Sequence, residues 1–258
     1  MRRLNTFAIF ATLCALLLWA LPASAQETAA AKLDFSQTPQ EITINTFYNG
    51  TSVQIAGEVP EGSQVVLRFA GAPETVAMKQ KGKALGLLWM NMNTLHFSGV
   101  PKVFLVESSA PIESLGAAGA SLGLSGLTDK IAVEPATADR ALLLPELVKL
   151  KRKEGLYREH SGAVALAAAE GGVQKFTASL AIPSRLSPGA YTVEVFAVKN
   201  GVVAAQAARP LEAKLVGAPA FLSNLAFNNA VWYGVLASVI AIIAGLCIGL
   251  VFQSKGAH

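Results

Sequence analysis

The chain of 258 residues carries 21 Lys and Arg residues against 17 Asp and Glu residues, and 52% of its residues are hydrophobic. If an N-terminal signal containing Arg2 and Arg3 is removed, 19 basic and 17 acidic residues remain, a balance that gives no case for nucleic-acid binding. Residues 26–229 contain no cysteine, which excludes disulfides and thiolate metal sites from that part of the chain.

Residues 1–25 have the three parts of a secretory signal peptide. Arg2 and Arg3 supply the charged start, and an apolar run over 7–21 follows, too short for a comfortable membrane span. Ala23-Ser24-Ala25 then provides the small-x-small pattern that a signal peptidase cleaves. We therefore expect cleavage before Gln26 and export of the rest of the chain to the periplasm.

Short segments of alternating apolar and polar residues, separated by Gly and Pro, predict strands over the first half of the exported region. Asn49-Gly50 lies between two of them, over 41–48 and 51–59, and predicts a hairpin turn. The segment 85–90 is apolar on both faces, which predicts a central strand. The remaining strands of this half are predicted over 64–70, 74–80, 94–97 and 103–107.

Residues 111–155 differ in composition and predict a helical insertion. Its clearest helix covers 139–154, ends at Gly155 and carries an apolar stripe near i, i+4, i+8 spacing. The stripe consists of Leu142, Leu143, Leu147 and Leu150. Four basic residues close to its C-terminus suit the negative end of the helix dipole. They are Lys149, Lys151, Arg152 and Lys153.

Strands resume over 163–168, 173–182, 190–199 and 202–215, with a second hairpin turn at Asn200-Gly201. Pro188-Gly189-Ala190-Tyr191 resembles the closing strands of an immunoglobulin-like domain. The predicted fold is mainly β, an immunoglobulin-like β-sandwich over 26–216 with an inserted helical segment, plus one C-terminal transmembrane helix. This likeness is one of fold and implies no function.

The C-terminal region predicts a membrane anchor. Residues 230–252 carry no charge, and 23 residues at 1.5 Å each span about 34 Å, enough for a hydrocarbon core of about 30 Å. Trp232 and Tyr233 stand at its outer end as interface anchors, after a juxtamembrane segment over 217–229. We expect a single-pass protein of the bacterial inner membrane, with a cytoplasmic tail over 253–258.

Small residues recur every fourth position in this helix, which lets another helix approach closely. They are Ala237, Ala241, Gly245 and Gly249. The stripe predicts contact with a helix of an integral membrane permease or with a second copy of the chain. The alternative is that Gly and Ala are simply common in membrane helices.

Two basic groups are candidate contacts for anionic lipid headgroups or an anionic solute. The first is Lys79, Lys81 and Lys83, and the second is the helix C-terminus at 149–153. The alternative is structural: lysines protect a strand edge from unwanted pairing, and basic residues stabilise a helix end.

Met90, Met92 and His96 share parity in one short stretch, and thioethers with an imidazole suit copper. The competing interpretation is that Asn91 and Asn93 mark a turn, which would break this parity, and that the methionines fill core space. We expect no metal, with copper as the alternative.

The sequence gives no support for catalysis. It contains three histidines, His96, His160 and His258, and no nucleophile elbow, zinc-protease motif or phosphate-binding glycine loop. We expect a protein that is not an enzyme and that needs no cofactor.

An ordered set of motifs runs from about residue 35 to 252, and its clearest elements are Phe47-Tyr48-Asn49-Gly50, Trp89-Met90-Asn91 and Gly155-Leu156-Tyr157. This set resembles the Alph-Pro-TM family of transmembrane proteins. The chain departs from the family pattern at Ala72 and Ala110, and the latter stands where a basic residue is common.

The family has no established activity, and the resemblance implies an association with permeases of the sulfite-exporter type. We therefore expect a membrane-anchored periplasmic accessory protein of unknown ligand. The alternatives are a stand-alone module that binds a solute or copper, and a structural protein of the envelope.

Overall fold

The computed structural model describes residues 31–84, 87–136 and 138–253. The predicted signal peptide, Leu85 and residues 254–258 of the predicted tail lie outside these ranges. Strands dominate what is described. They are β1 (Ala31–Lys32), β2 (Phe35–Thr38), β3 (Glu41–Ile44), β4 (Thr51–Pro60), β5 (Gln64–Gly71), β6 (Pro73–Ala84), β7 (Leu88–Pro101), β8 (Phe104–Ser108), β9 (Ala132–Glu134), β10 (Tyr157–Ser161), β11 (Val164–Glu170), β12 (Val173–Ile182), β13 (Gly189–Lys199) and β14 (Val202–Leu215).

The strands form three sheets. A seven-stranded sheet has the order β1-β14-β13-β5-β8-β10, with β3 pairing alongside β14. A four-stranded sheet has the order β11-β12-β4-β2, and β6, β7 and β9 form a smaller third sheet. The long central pairs β13–β14, β13–β5 and β12–β4 are all antiparallel.

The seven-stranded and four-stranded sheets pack face to face as a sandwich. Alternate residues of each strand point inward because side chains of a strand project to opposite faces in turn. Val53 and Ile55 of β4 therefore meet Leu67 of β5 and Val193 and Val195 of β13 in one buried cluster. These five side chains are at most 1% exposed, so the sandwich has a dry core.

Tyr191 explains why the Pro-Gly-x-Tyr motif is informative. Its ring is buried and stacks on Phe69, with ring centroids 5.0 Å apart. Its hydroxyl donates to the backbone oxygen of Ser187, 2.6 Å away and four residues upstream. A tyrosine that enters a strand and bonds back to the preceding corner in this way is typical of immunoglobulin-like sandwiches.

A helical segment covers the other face of the seven-stranded sheet. It comprises a 3₁₀ helix (Ile112–Leu115), α1 (Gly116–Leu122), α2 (Leu124–Lys130) and α3 (Arg140–Lys153). Val66, Val106 and Phe196 pack into a second buried cluster with these helices. All five residues of β8 are consequently buried, since the sheet is covered on both faces.

The helix predicted over 139–154 is present as α3, but its buried face differs from the prediction. Asp139 caps it, with its carboxylate accepting from the Leu142 amide at 3.2 Å. The buried residues are Leu144, Leu147 and Lys151, whereas Leu142 is 61% exposed. The apolar stripe was misassigned because leucines occupy several faces of this helix.

The two Asn-Gly turns have different outcomes. Asn200 and Gly201 both adopt positive φ and join the paired strands β13 and β14, so that hairpin is confirmed. Gly50 also has positive φ, but the hairpin predicted there is wrong. β3 pairs with β14 and β4 pairs with β12, so this turn carries the chain from one sheet to the other.

The central strand predicted over 85–90 is also wrong. β6 and β7 form a long hairpin, and Leu88, Trp89 and Met90 lie near its tip with more than half of each side chain exposed. Apolar residues on both faces are common to a buried strand and to a protruding apolar hairpin. Only the burial of these side chains in the folded structure distinguishes a central strand from such a hairpin.

Two helices complete the chain, α4 (Ala218–Asn228) and α5 (Ala230–Gln253). Residues Ala230–Leu250 of α5 are long and apolar enough to cross a membrane, and no part of the most apolar stretch is buried. The predicted fold class is confirmed: a mainly β, immunoglobulin-like sandwich with an inserted helical segment and one C-terminal apolar helix.

Candidate functional site: the C-terminal helix and the β6–β7 arm

The small residues of α5 are uncovered. Ala237, Ala241, Gly245 and Gly249 are all exposed, and they share one side of the helix because residues four apart are neighbours on its surface. A Cβ atom added at Gly245 or Gly249 would meet nothing within 4 Å. No packing within the described residues therefore accounts for glycine at these two positions.

The N-terminal end of α5 is amphipathic in the way expected of a membrane boundary. Trp232 is 67% exposed and Tyr233 is 44% exposed, and their rings combine an apolar body with a polar group. The preceding α4 contains no charged residue and buries none of its residues. Its largest exposed side chains are Phe221, Leu222 and Phe227.

We call the hairpin of β6 and β7 the arm. The half nearest the sandwich, its root, packs inward through Leu95, Phe97 and Val100, which are buried. Tyr157 fixes the root by donating its hydroxyl to the backbone oxygen of Pro101 at 2.9 Å. Burial raises the pKa of the Tyr157 hydroxyl, so it remains a donor at neutral pH.

Lys79, Lys81 and Lys83 occupy every second position of β6. The three lysines therefore project from the same face of the distal arm, the half of the hairpin beyond the root. All three are exposed. The Lys79 ammonium donates to the Thr94 hydroxyl at 2.6 Å, and the Lys83 ammonium lies 5.4 Å from the centre of the Trp89 ring. The predicted basic group is therefore a continuous strip beside an exposed aromatic ring.

The tip of the arm and the part of the opposite face next to it are apolar. Leu87 is 84% exposed, and Met90 and Met92 are each about half exposed. Gly82 leaves room for the Met92 side chain, because a Cβ atom there would stand 2.7 Å from Met92 Cγ. The arm thus presents apolar side chains without burying them.

The three residues of the copper alternative are not brought together. β7 is one extended strand from Leu88 to Pro101, so Asn91 and Asn93 do not form a turn between strands. Six residues of strand separate Met90 from His96 by about 20 Å, whereas ligands of one ion lie within about 2.3 Å of it. A single site from Met90, Met92 and His96 is therefore ruled out in this conformation. The described ranges also hold no group of three His, Cys, Asp or Glu residues that could bind a metal ion.

The four basic residues at 149–153 of α3 do not form one exposed basic surface. Lys151 is buried, and its ammonium lies 3.9 Å from the carboxylate of Glu74 at the arm root. The Lys149 ammonium pairs with Glu146 at 3.5 Å, while Arg152 and Lys153 are exposed. Lys151 is therefore a structural tie between α3 and β6, and its assignment as a lipid or anion contact is corrected.

Sequence reasoning missed two partly buried charge pairs. The Arg68 guanidinium bonds the Glu194 carboxylate at 2.6 Å and lies 4.9 Å from the centre of the Phe196 ring. Arg158 lies 3.4 Å from Glu107, whose other carboxylate oxygen is buried with no hydrogen-bond partner in the described structure. Burial raises the pKa of Glu107, while the positive charge of Arg158 opposes this. The sequence signal that indicates such pairs is a charged residue within an apolar strand, as with Arg68 in β5 and Glu107 in β8.

A family model described as "Putative transmembrane protein (Alph_Pro_TM)" matches residues 32–254. No curated protein matches the sequence. A solved structure from a study of T cell specificity and activation by the bacterial superantigen toxic shock syndrome toxin-1 is 9% identical, with 71% of this chain and 99% of that chain covered and a TM-score of 0.26. A structure of murine CRIg is 11% identical, with 72% and 100% covered and a TM-score of 0.25. These TM-scores are too low to support an argument, so the fold description rests on the sheet topology of this chain alone.

Proposed function

The chain belongs to the Alph_Pro_TM family of transmembrane proteins, and on this premise we propose that it is a non-catalytic, membrane-anchored accessory protein. In this proposal α5 crosses the bacterial inner membrane, the β-sandwich lies in the periplasm and the C-terminal tail is cytoplasmic. The sandwich supplies a rigid exported body, and α5 supplies both the anchor and a recognition surface.

The observation that carries the proposal is that none of the most apolar stretch of α5 is buried. A helix as apolar as Ala230–Leu250, with none of its most apolar stretch buried, needs lipid or another apolar helix around it. Its length suits a bilayer, since 21 residues at 1.5 Å each extend about 32 Å. The sandwich is already closed by its own core and has no need of α5 as a packing element.

The face bearing Gly245 and Gly249 favours a protein partner in the membrane. Lipid chains gain nothing from a groove of small residues, whereas a neighbouring helix gains close backbone contact. We propose that the partner is a multi-span permease, for which the family resemblance suggests the sulfite-exporter type. A second copy of the chain is the competing occupant of this face.

Purification of the tagged full-length chain from native membranes in mild detergent tests this proposal. We expect a multi-span membrane protein to co-purify with the wild type and to be lost from the Gly245→Leu/Gly249→Leu variant, because two isobutyl groups prevent close approach. Cys247→Leu is the matched control. It adds bulk about 200° around the helix from Gly245 and should retain the partner.

The alternative outcomes of this purification are distinct. Recovery of a differently tagged copy of the chain alone would indicate self-association. Bound metal or solute without a protein partner would support the stand-alone binding module, and envelope complexes would support a structural role. Equal recovery of the permease with the double-leucine variant and the wild type would refute recognition through this face.

A further inference from the structure

We propose that the arm is a second membrane contact, in which its tip and its lysine strip bind the surface of an anionic bilayer. The inference requires that α5 anchors the chain, as proposed above, but it does not require any protein partner. It rests on the charge, exposure and position of the arm.

Beyond its root, the arm carries charge of one sign. Between Thr75 and Ser98 the sequence contains three lysines and no aspartate or glutamate. Within the described ranges none of these three ammonium groups forms an ion pair, because the ion pairs present involve other residues. A strip of three uncompensated lysines attracts anionic headgroups more strongly than separate surface lysines do.

The apolar surface of the arm is concentrated at its tip. Leu87, Leu88, Trp89 and Met90 are consecutive and all are at least half exposed. Other large exposed apolar side chains of the sandwich and its helices, such as Phe47 and Val202, are scattered singly. A contiguous apolar patch on an exported domain marks an interaction surface.

The arm leaves the sandwich at the end that leads to the membrane helix. In the sheet register Gly71 pairs with Tyr191, and Tyr191 pairs with Leu211. The arm begins two residues after Gly71, and β14 continues from Leu211 only to Leu215 before α4. The twelve residues of β6 extend about 40 Å, a length sufficient to reach a bilayer to which the same end of the domain is tethered.

A bilayer suits this combination of side chains better than a protein groove does. Leucine and methionine at the tip enter the upper acyl region, tryptophan prefers the headgroup level, and lysine chains reach back to phosphate. Lys83, Lys81 and Lys79 stand at successively greater distances behind the tip, about 6.6 Å apart. Tethering by α5 raises the effective concentration of lipid, so a weak contact is sufficient.

The contacts at the root of the arm leave its tip free to bind lipid. The Tyr157 hydroxyl holds Pro101, and Lys151 lies beside Glu74, so both strands are fixed where they leave the body. The tip, by contrast, buries none of its large side chains. The arm is therefore held at its base and available at its end.

The test uses the full-length chain in nanodiscs of phosphatidylcholine and phosphatidylglycerol that contain no other membrane protein. Trp19→Phe and Trp232→Phe leave Trp89 as the sole tryptophan. We expect lipids brominated on the acyl chain to quench Trp89 and its emission to shift to the blue. Quenching should fall when salt is raised to about 1 M, which shortens the Debye length to about 3 Å.

Lys79→Gln/Lys81→Gln/Lys83→Gln should weaken the arm–lipid equilibrium about 100-fold, at about fivefold per lysine, and abolish most of the quenching. Lys149→Gln/Arg152→Gln/Lys153→Gln removes the same charge from α3 and should leave quenching unchanged. Incorporation into nanodiscs without any quenching of Trp89 would overturn the arm proposal alone. Failure to incorporate would instead contradict anchoring by α5.

Discussion

The hydrogen bond from Tyr191 offers the sharpest test of how the sandwich is held together. Tyr191→Phe removes the hydroxyl that donates to the Ser187 carbonyl at 2.6 Å, while the ring keeps its stacking on Phe69. The loss is therefore one short hydrogen bond at a buried site, worth about 1–2 kcal/mol. For a domain of this size we expect a fall in Tm of about 3–6 °C.

The assay is thermal unfolding of the full-length protein in mild detergent, followed by tyrosine and tryptophan absorbance. Tyr48→Phe is the control, because the Tyr48 hydroxyl lies a longer 3.3 Å from the Pro183 carbonyl and should contribute less. A Tyr191→Phe protein with the Tm of the wild type would refute the assigned role of this bond.

The same variant carries a prediction in alkaline solution. Burial raises the pKa of Tyr191 to about 12, above its ordinary value of 10.0. The stability that depends on the neutral hydroxyl is fully present below pH 10 and is lost as pH rises towards 12. The advantage of the wild type over Tyr191→Phe should therefore narrow across this interval, as measured by Tm at increasing pH. A constant difference would contradict the assignment.

Two further variants test the core. Gly57→Ala places a Cβ atom 2.8 Å from the ring of Phe176 and 2.9 Å from both Cβ of Phe35 and the Asp34 backbone oxygen. The Tm should therefore fall by a few degrees, at a cost of about 1–3 kcal/mol. An unchanged Tm would contradict the tight packing assigned to this position. Burial raises the pKa of Glu107, so its charged form lowers stability as pH rises above about 4.5. Glu107→Gln should therefore gain Tm relative to the wild type between pH 4.5 and 7.5, and a falling difference would instead show that the pairing with Arg158 dominates.

Local chemistry made part of the fold predictable. Asn200-Gly201 forms its hairpin because both residues take positive φ between strands that are adjacent in the sheet. Gly50 meets the same local requirement, yet its flanking strands pair with β14 and β12 instead. Turn chemistry specifies a turn, but the partners of the strands depend on contacts between distant segments.

The candidate surfaces could likewise be predicted only in part from the sequence. The anchor and the small-residue face of α5 follow from composition and spacing alone, since no other part of the described chain covers them. The role of Lys151 could not be predicted, because it depends on Glu74 in a strand far away in the sequence. The exposed tip around Trp89 was mistaken for a central strand because hydropathy does not reveal whether a neighbouring element covers a strand.

The central claim is the proposal that the sandwich lies in the periplasm and is held there by α5. Labelling with a membrane-impermeant maleimide tests it most directly, in a background without Cys14 and Cys247. A cysteine in place of the exposed Lys175 of β12 should react in intact spheroplasts, and a cysteine in place of Ser254 should react only after lysis. The opposite pattern, with Ser254→Cys labelled first, would contradict the account.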